Sequence, residues 1–230
     1  MAYVIPIWSP SALPVLGSTD LFPVRRIFCV GRNYVEHQKE MGGDGREQPF
    51  FFIKSAHSLV PLGGDVHYPP KTSNLHYETE MVVAIAKQGR RISAKDATGY
   101  IFGYAVGLDM TRRDLQQIGK DKGRPWDFGK DFDEAAPCSA LAPAAKIGHP
   151  STGAIRLQVN GKERQKADLS EMIWSVPEQI EYLSHFYTIE PGDLIYSGTP
   201  AGVGPVQPGD EMHATVERVG ELKVRMIAAL

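Results

Sequence analysis

Two glutamates at a spacing of two carry the strongest chemical signal in the chain. Glu78 and Glu80 lie in the run Leu75 to Ala86, which is predicted to form one long strand. Alternate residues of a strand share a face, so both carboxylates point to the same side. Because the rest of the run is apolar, the strand is expected to be buried, and two buried like charges require a cation between them. The alternative is an exposed strand end at which water solvates both glutamates.

A third acid favours the metal interpretation. Asp109 ends the predicted strand Ile101 to Leu108, where an isolated carboxylate faces a site more readily than a core. Three carboxylates without a cysteine partner or a compact histidine cluster are hard ligands. They favour Mg²⁺ or Mn²⁺ over Zn²⁺ and leave coordination positions for water and substrate. His76 shares a face with Glu78, either as a fourth ligand or, more simply, as a histidine behind the ligands or at the surface.

His37 and Glu40 form a second candidate pair. They are three residues apart on a helix predicted to begin at an Asn33 N-cap and to run to about Met41. A carboxylate beside an imidazole orients it and raises its pKa, which makes a general base. The alternative is a solvated helix, because the neighbouring helix residues are also polar. Gly42, Gly43 and Gly45 follow at once, which suggests that this helix is part of a mobile lid.

Two further residues offer groups for an anionic substrate. Lys130 lies among apolar residues and glycine, although a lone lysine is more commonly a solvated surface charge. Thr199, within Gly198-Thr199-Pro200, offers a hydroxyl and neighbouring backbone N–H groups to a carboxylate. The glycine-rich stretch is not a P-loop, because the Gly-Lys-Ser/Thr ending is absent. No Gly-x-Ser-x-Gly motif is present, which argues against an α/β-hydrolase serine.

The elements that must position these residues are mostly strands, and the fold class is predicted as mixed, mainly β with a few short helices. Residues 1–23 are interpreted as an N-terminal arm, and residues 24–230 as one catalytic domain. Local signals beyond those above are a short strand Arg26 to Gly31, a Thr111-capped helix through Gln117, a hairpin around Asn160-Gly161, a capping box from Ser175 to Glu178, and a final hairpin around Gly220.

Composition excludes several classes of protein. The formal net charge is -2 and no dense Lys/Arg patch is present, so nucleic acid is not an expected partner. No stretch approaches the roughly 20 apolar residues of a membrane span. The start of the chain is broken by prolines and makes a poor signal peptide. The two cysteines, Cys29 and Cys138, are too few for a disulfide framework. A cytoplasmic protein is expected.

Five segments together resemble the fumarylacetoacetate hydrolase family, in particular its short acylpyruvate and fumarylpyruvate hydrolases. The resemblance covers about residues 24 to 227, and five segments in the right order are highly specific although each is short. The segments are Cys29-Val-Gly-Arg-Asn-Tyr34 with His37 and Glu40; Leu75-His-Tyr-Glu-Thr-Glu80; Leu108-Asp-Met-Thr-Arg-Arg-Asp114 with Gln116; Lys122-Gly-Arg-Pro-Trp126 with Gly129-Lys130; and Ser197-Gly-Thr-Pro-Ala-Gly-Val-Gly-Pro205.

The resemblance implies a mixed β-roll, a homodimer, and Mg²⁺ or Mn²⁺ as cofactor. By resemblance the metal ligands are Glu78, Glu80 and Asp109, and the catalytic residues are His37, Glu40 and Lys130. Four residues are assigned to substrate binding: Arg32, Arg113, Gln116 and Thr199. The sequence departs from the family pattern at Ser55, where relatives usually carry proline.

The expected function is hydrolysis of a carbon–carbon bond in fumarylpyruvate or a related acylpyruvate, within gentisate-type aromatic catabolism. The partner is then a small 2-oxo acid. His37, oriented by Glu40, would activate the attacking water. One alternative is decarboxylation of oxaloacetate, which needs no activated water. Another is a non-catalytic relative that binds metal and a keto acid, although a pure binder has no use for the pair His37 and Glu40.

Overall fold

The structure is a computed structural model that describes residues 3–40 and 46–229. Within these residues the chain is mainly β with a few short helices, as the sequence predicts. The strands β1 to β18 are, in chain order, Ala12–Pro14, Leu21–Pro23, Arg26–Gly31, Phe50–Lys54, Leu59–Pro61, Gly64–His67, Leu75–Tyr77, Thr79–Ile85, Ile101–Leu108, Thr111–Arg112, Ala136–Cys138, Ala142–Pro143, Ala154–Val159, Lys162–Asp168, Asp193–Tyr196, Gly204–Pro205, Glu211–Val216 and Gly220–Ile227. The helices α1 to α5 are Val35–Glu40, Arg113–Asp121, Asp127–Lys130, Ala144–Ile147 and Val176–Phe186.

Two large sheets pack face to face around the main core. The larger has the strand order β4-β3-β15-β8-β9-β11-β5, with β12 pairing on β9. The second has the order β14-β13-β17-β18-β6, and its strands β13, β17 and β18 contact β8 and β9. Their facing side chains form one continuous apolar cluster. In this mixed arrangement the start of β8 lies beside the end of β9, two residues before β10 begins.

The central strand β8 is covered on both faces. All seven of its residues are buried, which accounts for the unbroken apolar run in the sequence. One face packs on the main core, and the other meets a second cluster that includes Leu13 and Phe22 from the hairpin of β1 and β2. Residues 12–23 of the predicted arm therefore pack on this sheet. The central strands give the site a rigid, dry floor.

The predicted long strand Leu75 to Ala86 is wrong, because the structure interrupts it at Glu78. The segment before the break, β7, pairs with β10 and β16 in a small third sheet. The segment after it, β8, pairs with β9 and β15. At the junction the Glu78 carbonyl accepts a hydrogen bond of 2.9 Å from the Asp109 backbone N–H. The break therefore brings Glu78 directly beside Asp109.

Two predicted helix starts are also wrong. Asn33 is not an N-cap: α1 begins at Val35, and the Asn33 side chain bonds instead to the loop at Trp174 and to Ser197. Thr111 lies in β10, and α2 begins two residues later. Both side chains form hydrogen bonds with residues distant in the sequence, which local sequence patterns do not reveal. The glycines that follow the predicted lid helix, residues 42–45, lie outside the described residues.

Other local predictions are confirmed. The hairpin of β13 and β14 turns at Asn160 and Gly161, with φ values of 51° and 73°, the left-handed conformation that this two-residue turn requires. The capping box formed by Ser175 and Glu178 starts α5. None of the described helices is long and apolar enough to cross a membrane.

We expect Asn33→Ala to lower the free energy of unfolding by about 2–4 kcal/mol, because the fully buried Asn33 side chain loses three hydrogen bonds. Urea unfolding followed by tryptophan fluorescence measures the change. The control is Gln117→Ala on the exposed side of α2, which should change stability by less than about 0.5 kcal/mol. Equal stability of the two variants would contradict this role for Asn33.

Candidate active site

Three buried carboxylates converge at the junction of the two strands. Glu78 lies between β7 and β8, Glu80 is the second residue of β8, and Asp109 directly follows β9. The three residues are 5%, 1% and 1% exposed, respectively. One oxygen from each lies within 4.8 Å of the others. The structure thus brings together the three predicted metal ligands, because the break in the strand turns Glu78 toward its neighbours.

Buried cations compensate two of the three carboxylates. Lys130, the last residue of α3, donates to Glu78 Oε2 at 2.7 Å, to Asp109 Oδ2 at 2.7 Å and to Thr111 Oγ1 at 2.8 Å. Arg113, the first residue of α2, donates to Glu78 Oε1 at 2.5 Å. Burial alone would raise the pKa of Glu78, but Lys130 and Arg113 hold that pKa below its ordinary range.

A second buried lysine supports Asp109. Lys54, at the end of β4, has an exposure of 0%, and its Nζ lies 2.9 Å from Asp109 Oδ1. The same ammonium donates to the backbone oxygens of Met110 and Lys130. Its approach to Asp109 Oδ1 is poorly directed, since that buried oxygen accepts no well-aligned hydrogen bond from the described residues. Asp109 therefore retains an oxygen that an additional cation would satisfy.

Glu80 differs from the other two carboxylates. It accepts a hydrogen bond from the Gly198 N–H at 2.7 Å, and no described side chain forms an ion pair with it. Burial, and then the charges of Asp109 and Glu78, raise the pKa of Glu80 well above its ordinary value. A divalent cation would stabilise its charged form. Three oxygen ligands of this kind fit Mg²⁺ or Mn²⁺.

His37 and Glu40, the predicted general base and its partner, lie near the acidic cluster, and His37 lines the same cleft as Glu78 and Glu80. His37 on α1 is 4% exposed, and its Nδ1 lies 3.1 Å from Glu40 Oε2. The other Glu40 oxygen accepts from the Gly202 N–H at 3.0 Å, which fixes the carboxylate against the 198–204 loop. Burial lowers the pKa of His37 below its ordinary value of 6.5, although Glu78 and Glu40 oppose this effect. Glu40 thus raises the pKa of His37 as expected from the sequence, but desolvation is the larger effect and the net pKa is lowered.

The residues assigned to substrate binding surround this site. Arg113 also donates to Gln116 Oε1 at 2.7 Å, so both side chains are fixed on one face of α2. Thr199 Oγ1 accepts from Gln165 Nε2 at 2.8 Å, and Gln165 Oε1 accepts from the Thr79 N–H at 3.0 Å. Thr199 keeps its own hydroxyl proton for another acceptor. Gln165 thereby ties the 198–204 loop to β8.

A single cleft collects most of the predicted residues. It encloses about 360 Å³ of space, including its open mouth. Its walls include eight of the ten residues assigned from the sequence, while Glu40 and Asp109 lie behind them: Arg32, His37, Glu78, Glu80, Arg113, Gln116, Lys130 and Thr199. The remaining walls are aromatic, from Phe50, Phe52 and Trp126, and cationic, from Lys120.

Sequence reasoning missed four contributors to the site. Lys54 ends an otherwise apolar run after three phenylalanines and an isoleucine, a context that favours burial and could have drawn attention to it. Gln165, Thr111 and Lys120 give no comparable local signal. His76 bonds to Asn74 at 2.8 Å and lies outside the acidic cluster, as the simpler interpretation expected.

Comparisons with known proteins agree with this geometry. The family profile described as fumarylacetoacetate (FAA) hydrolase C-terminal matches residues 26–227. A fumarylpyruvate hydrolase of Ralstonia sp. is 51% identical over 178 residues, which are 77% of this chain and 92% of that protein. A mitochondrial oxaloacetate tautomerase of Bos taurus is 42% identical over 202 residues, 88% of this chain and 91% of that protein. The crystal structure of fumarylpyruvate hydrolase from Pseudomonas aeruginosa in complex with Mn²⁺ and pyruvate superimposes with a TM-score of 0.96 at 48% identity, covering 99% and 100% of the two chains.

We expect Mn²⁺ to raise the melting temperature of the chelator-treated protein by about 5 °C or more at saturation, because the ion binds only the folded arrangement of the carboxylates. Glu80→Gln should abolish this shift, since a neutral amide is a poor ligand for a hard cation. Without metal the variant should be at least as stable as the original chain near pH 7, because burial and the neighbouring carboxylates already disfavour the charged form of Glu80. Thermal scans with EDTA and with Mn²⁺ measure both effects.

The matched control is Glu163→Gln on the exposed strand β14, which should keep the full Mn²⁺ shift. An undiminished shift in Glu80→Gln would show that the ion binds elsewhere. A strongly destabilised metal-free variant would make Glu80 a structural residue.

Proposed function

The chain belongs to the fumarylacetoacetate hydrolase family, and we propose that it hydrolyses the carbon–carbon bond of fumarylpyruvate or a related acylpyruvate. The products are pyruvate and a carboxylic acid. The observation that carries this proposal is that the acidic triad and the His37–Glu40 pair meet at one cleft, which Glu78, Glu80 and His37 line directly. The similarity to fumarylpyruvate hydrolases supports it.

Glu78, Glu80 and Asp109 would hold the cofactor, Mn²⁺ or Mg²⁺. When bound, the ion supplies positive charge that polarises the 2-oxo group and stabilises the negative charge that develops as the bond breaks. Lys130 keeps two of the ligands in place. All three of its donors are already used, so its effect on the substrate is the field of its charge rather than a direct hydrogen bond.

His37 is suited to remove the proton from water. A carboxylate at Nδ1 keeps the proton on that nitrogen, which leaves Nε2 to accept one. The hydroxide formed adds to the distal carbonyl carbon, and the bond from this carbon to the methylene group breaks. Its electron pair forms the pyruvate enolate, which is protonated to pyruvate, while the hydroxyl group stays in the carboxylic acid. Burial keeps His37 neutral and ready near pH 7.

Other cleft residues orient the substrate head. Thr199 can donate its hydroxyl proton to a substrate oxygen, because Gln165 already occupies its acceptor side. Arg113 and Gln116 line the same cleft and hold each other in place. A fixed head group brings the distal carbonyl under His37, and such positioning lowers the entropic part of the barrier.

A second candidate function is a reaction of oxaloacetate, either its decarboxylation or the interconversion of its keto and enol forms. The similarity to the bovine oxaloacetate tautomerase favours it, since oxaloacetate carries the same 2-oxo acid head and also passes through an enol form. A non-catalytic binder is the weaker alternative, because the buried base His37 would then have no role. The homodimer, the cytoplasmic location and the place in gentisate-type catabolism remain predictions.

We expect the metal-loaded chain to release pyruvate from fumarylpyruvate, and His37→Ala to lower this rate by roughly 10²-fold or more, because general-base catalysis is lost. Oxaloacetate decarboxylation by the same variant should fall much less, since it needs no activated water. Absorbance loss and coupled pyruvate detection measure both rates. His57→Ala, remote from the cleft lining, is the matched control and should retain activity.

If the unsubstituted protein hydrolysed no acylpyruvate at all, the hydrolase proposal would be overturned. Equal losses on the two substrates in His37→Ala would overturn the assignment of His37 as the base.

We expect kcat/KM for hydrolysis to rise with pH through an apparent pKa below 6.5, because His37 acts in its neutral form and burial lowers its pKa. Glu40→Gln removes a hydrogen bond and a charge that both raise this pKa, so the acidic limb should move to lower pH. The plateau should fall as well, since the imidazole loses its orientation. A pH–rate profile of both proteins measures this, and a limb that moves to higher pH would contradict the pairing.

A further inference from the structure

Four cationic side chains line the cleft, and only two of them pair with the acidic cluster. Those two, Arg113 and Lys130, both contact Glu78. Arg32 and Lys120 line the same cleft, and neither forms an ion pair with a described residue. Arg32 Nε is moreover buried without a hydrogen-bond partner among the residues described. Arg32 as a whole is half-buried, but its unpaired Nε–H group is costly unless a ligand accepts its hydrogen bond.

The backbone holds Arg32 in an unusual conformation. Its φ is 55°, in the left-handed region that a non-glycine residue adopts at a cost. The next residue, Asn33, is fixed by hydrogen bonds to Trp174 and Ser197. The surrounding structure thus imposes the conformation and directs Arg32 toward the cleft. Such strain is concentrated at functional sites.

The α2 helix runs along the cleft and separates Arg113, near the acidic cluster, from Lys120, farther along the helix. Arg113, Gln116 and Lys120 all line it, which their spacing of three and four residues on one helix face explains. Arg113 touches Glu78 at the acidic cluster. Lys120 is seven residues farther along, which corresponds to roughly 10 Å along the helix axis. The cleft therefore has a metal-binding end and a separate cationic end.

The cationic end, formed by Lys120 and Arg32, has no acidic partner among the described residues. Lys120 is partly buried, and burial, followed by the nearby charges of Arg113 and Arg32, lowers its pKa to about 8. Like charges of this kind repel in the absence of a ligand, and an anion bound between them would relieve the repulsion. The place is therefore suited to a carboxylate.

The walls between the two ends are flat and aromatic. The Phe50 and Trp126 rings meet edge to face at 5.5 Å, and Phe52 lies 6.2 Å from Trp126. Lys120 Nζ lies 5.3 Å from the centre of the Trp126 ring. A planar unsaturated chain would pack on these rings, with its terminal group at Lys120.

We infer that Lys120 and Arg32 bind the distal carboxylate of the acyl chain, so that the preferred substrate class is the dicarboxylic acylpyruvates. The inference rests on the proposed hydrolysis and adds the recognition of its acyl group. The two carboxylates of extended fumarylpyruvate are roughly 7 Å apart, a span that the side chains of α2 can bridge. Acetylpyruvate carries no distal carboxylate, and oxaloacetate is too short to reach the cationic end.

The test compares kcat/KM for fumarylpyruvate with that for acetylpyruvate in the metal-loaded enzyme. Lys120→Met removes the charge and keeps most of the stem. It should lower the fumarylpyruvate value by about 10- to 100-fold, as loss of a charge-assisted hydrogen bond predicts, and leave acetylpyruvate within about 3-fold. Lys120→Arg keeps the charge and should keep most of the preference. Lys87→Met, exposed after β8, is the control.

The ratio of two substrates in one preparation separates recognition from folding. A parallel loss on both substrates, or an unchanged ratio in Lys120→Met, would overturn the carboxylate site and leave the hydrolase proposal standing. Failure of the unsubstituted enzyme to hydrolyse either substrate would overturn both proposals.

Discussion

The contact of Lys130 with Glu78 and Asp109 is the interaction on which the site depends. Three buried carboxylates within 4.8 Å of one another would each cost several kcal/mol without compensation. Lys130, Lys54 and Arg113 supply three positive charges, and each comes from a different element: α3, β4 and α2. These elements must therefore meet at the end of β9. The break between β7 and β8 serves the same requirement, because it turns Glu78 into the reach of Lys130.

The described cations form ion pairs with two of the three carboxylates, and the third carboxylate leaves the site suited to bind a metal ion. Glu78 and Asp109 are paired with cations, whereas Glu80 is held only by the Gly198 N–H among the described groups. The cluster is close to neutral without metal, so a divalent ion makes the cleft positive. A positive cleft attracts a substrate with two carboxylates. His37 stays neutral beside this charge because burial outweighs Glu40 and Glu78, and a neutral imidazole is the form that accepts a proton.

The two ends of the cleft have separate tasks. In the proposed reaction, the end formed by the acidic triad and Thr199 would recognise the 2-oxo acid head, which acylpyruvates and oxaloacetate share. The other end, with Lys120 and the aromatic walls, would face the part of the substrate in which they differ. Members of one family can bind the same 2-oxo acid group and still differ in reaction, if the residues that contact the rest of the substrate differ. The similarity of this chain to both a hydrolase and a tautomerase is consistent with that division.

The sequence by itself determined the fold class, the triad Glu78, Glu80 and Asp109, and the pair His37 and Glu40. All of these follow from local spacing, or from short motifs that resemble a family. Only the tertiary structure decided that Lys54 and Lys130 are buried partners of the triad, since Lys130 meets Glu78 across 52 residues of sequence. It also decided the break at Glu78, the lowered pKa of His37 and the second cationic end at Lys120. The reason is that spacing records which side chains share a face, whereas desolvation and charge pairing depend on which segments close over them.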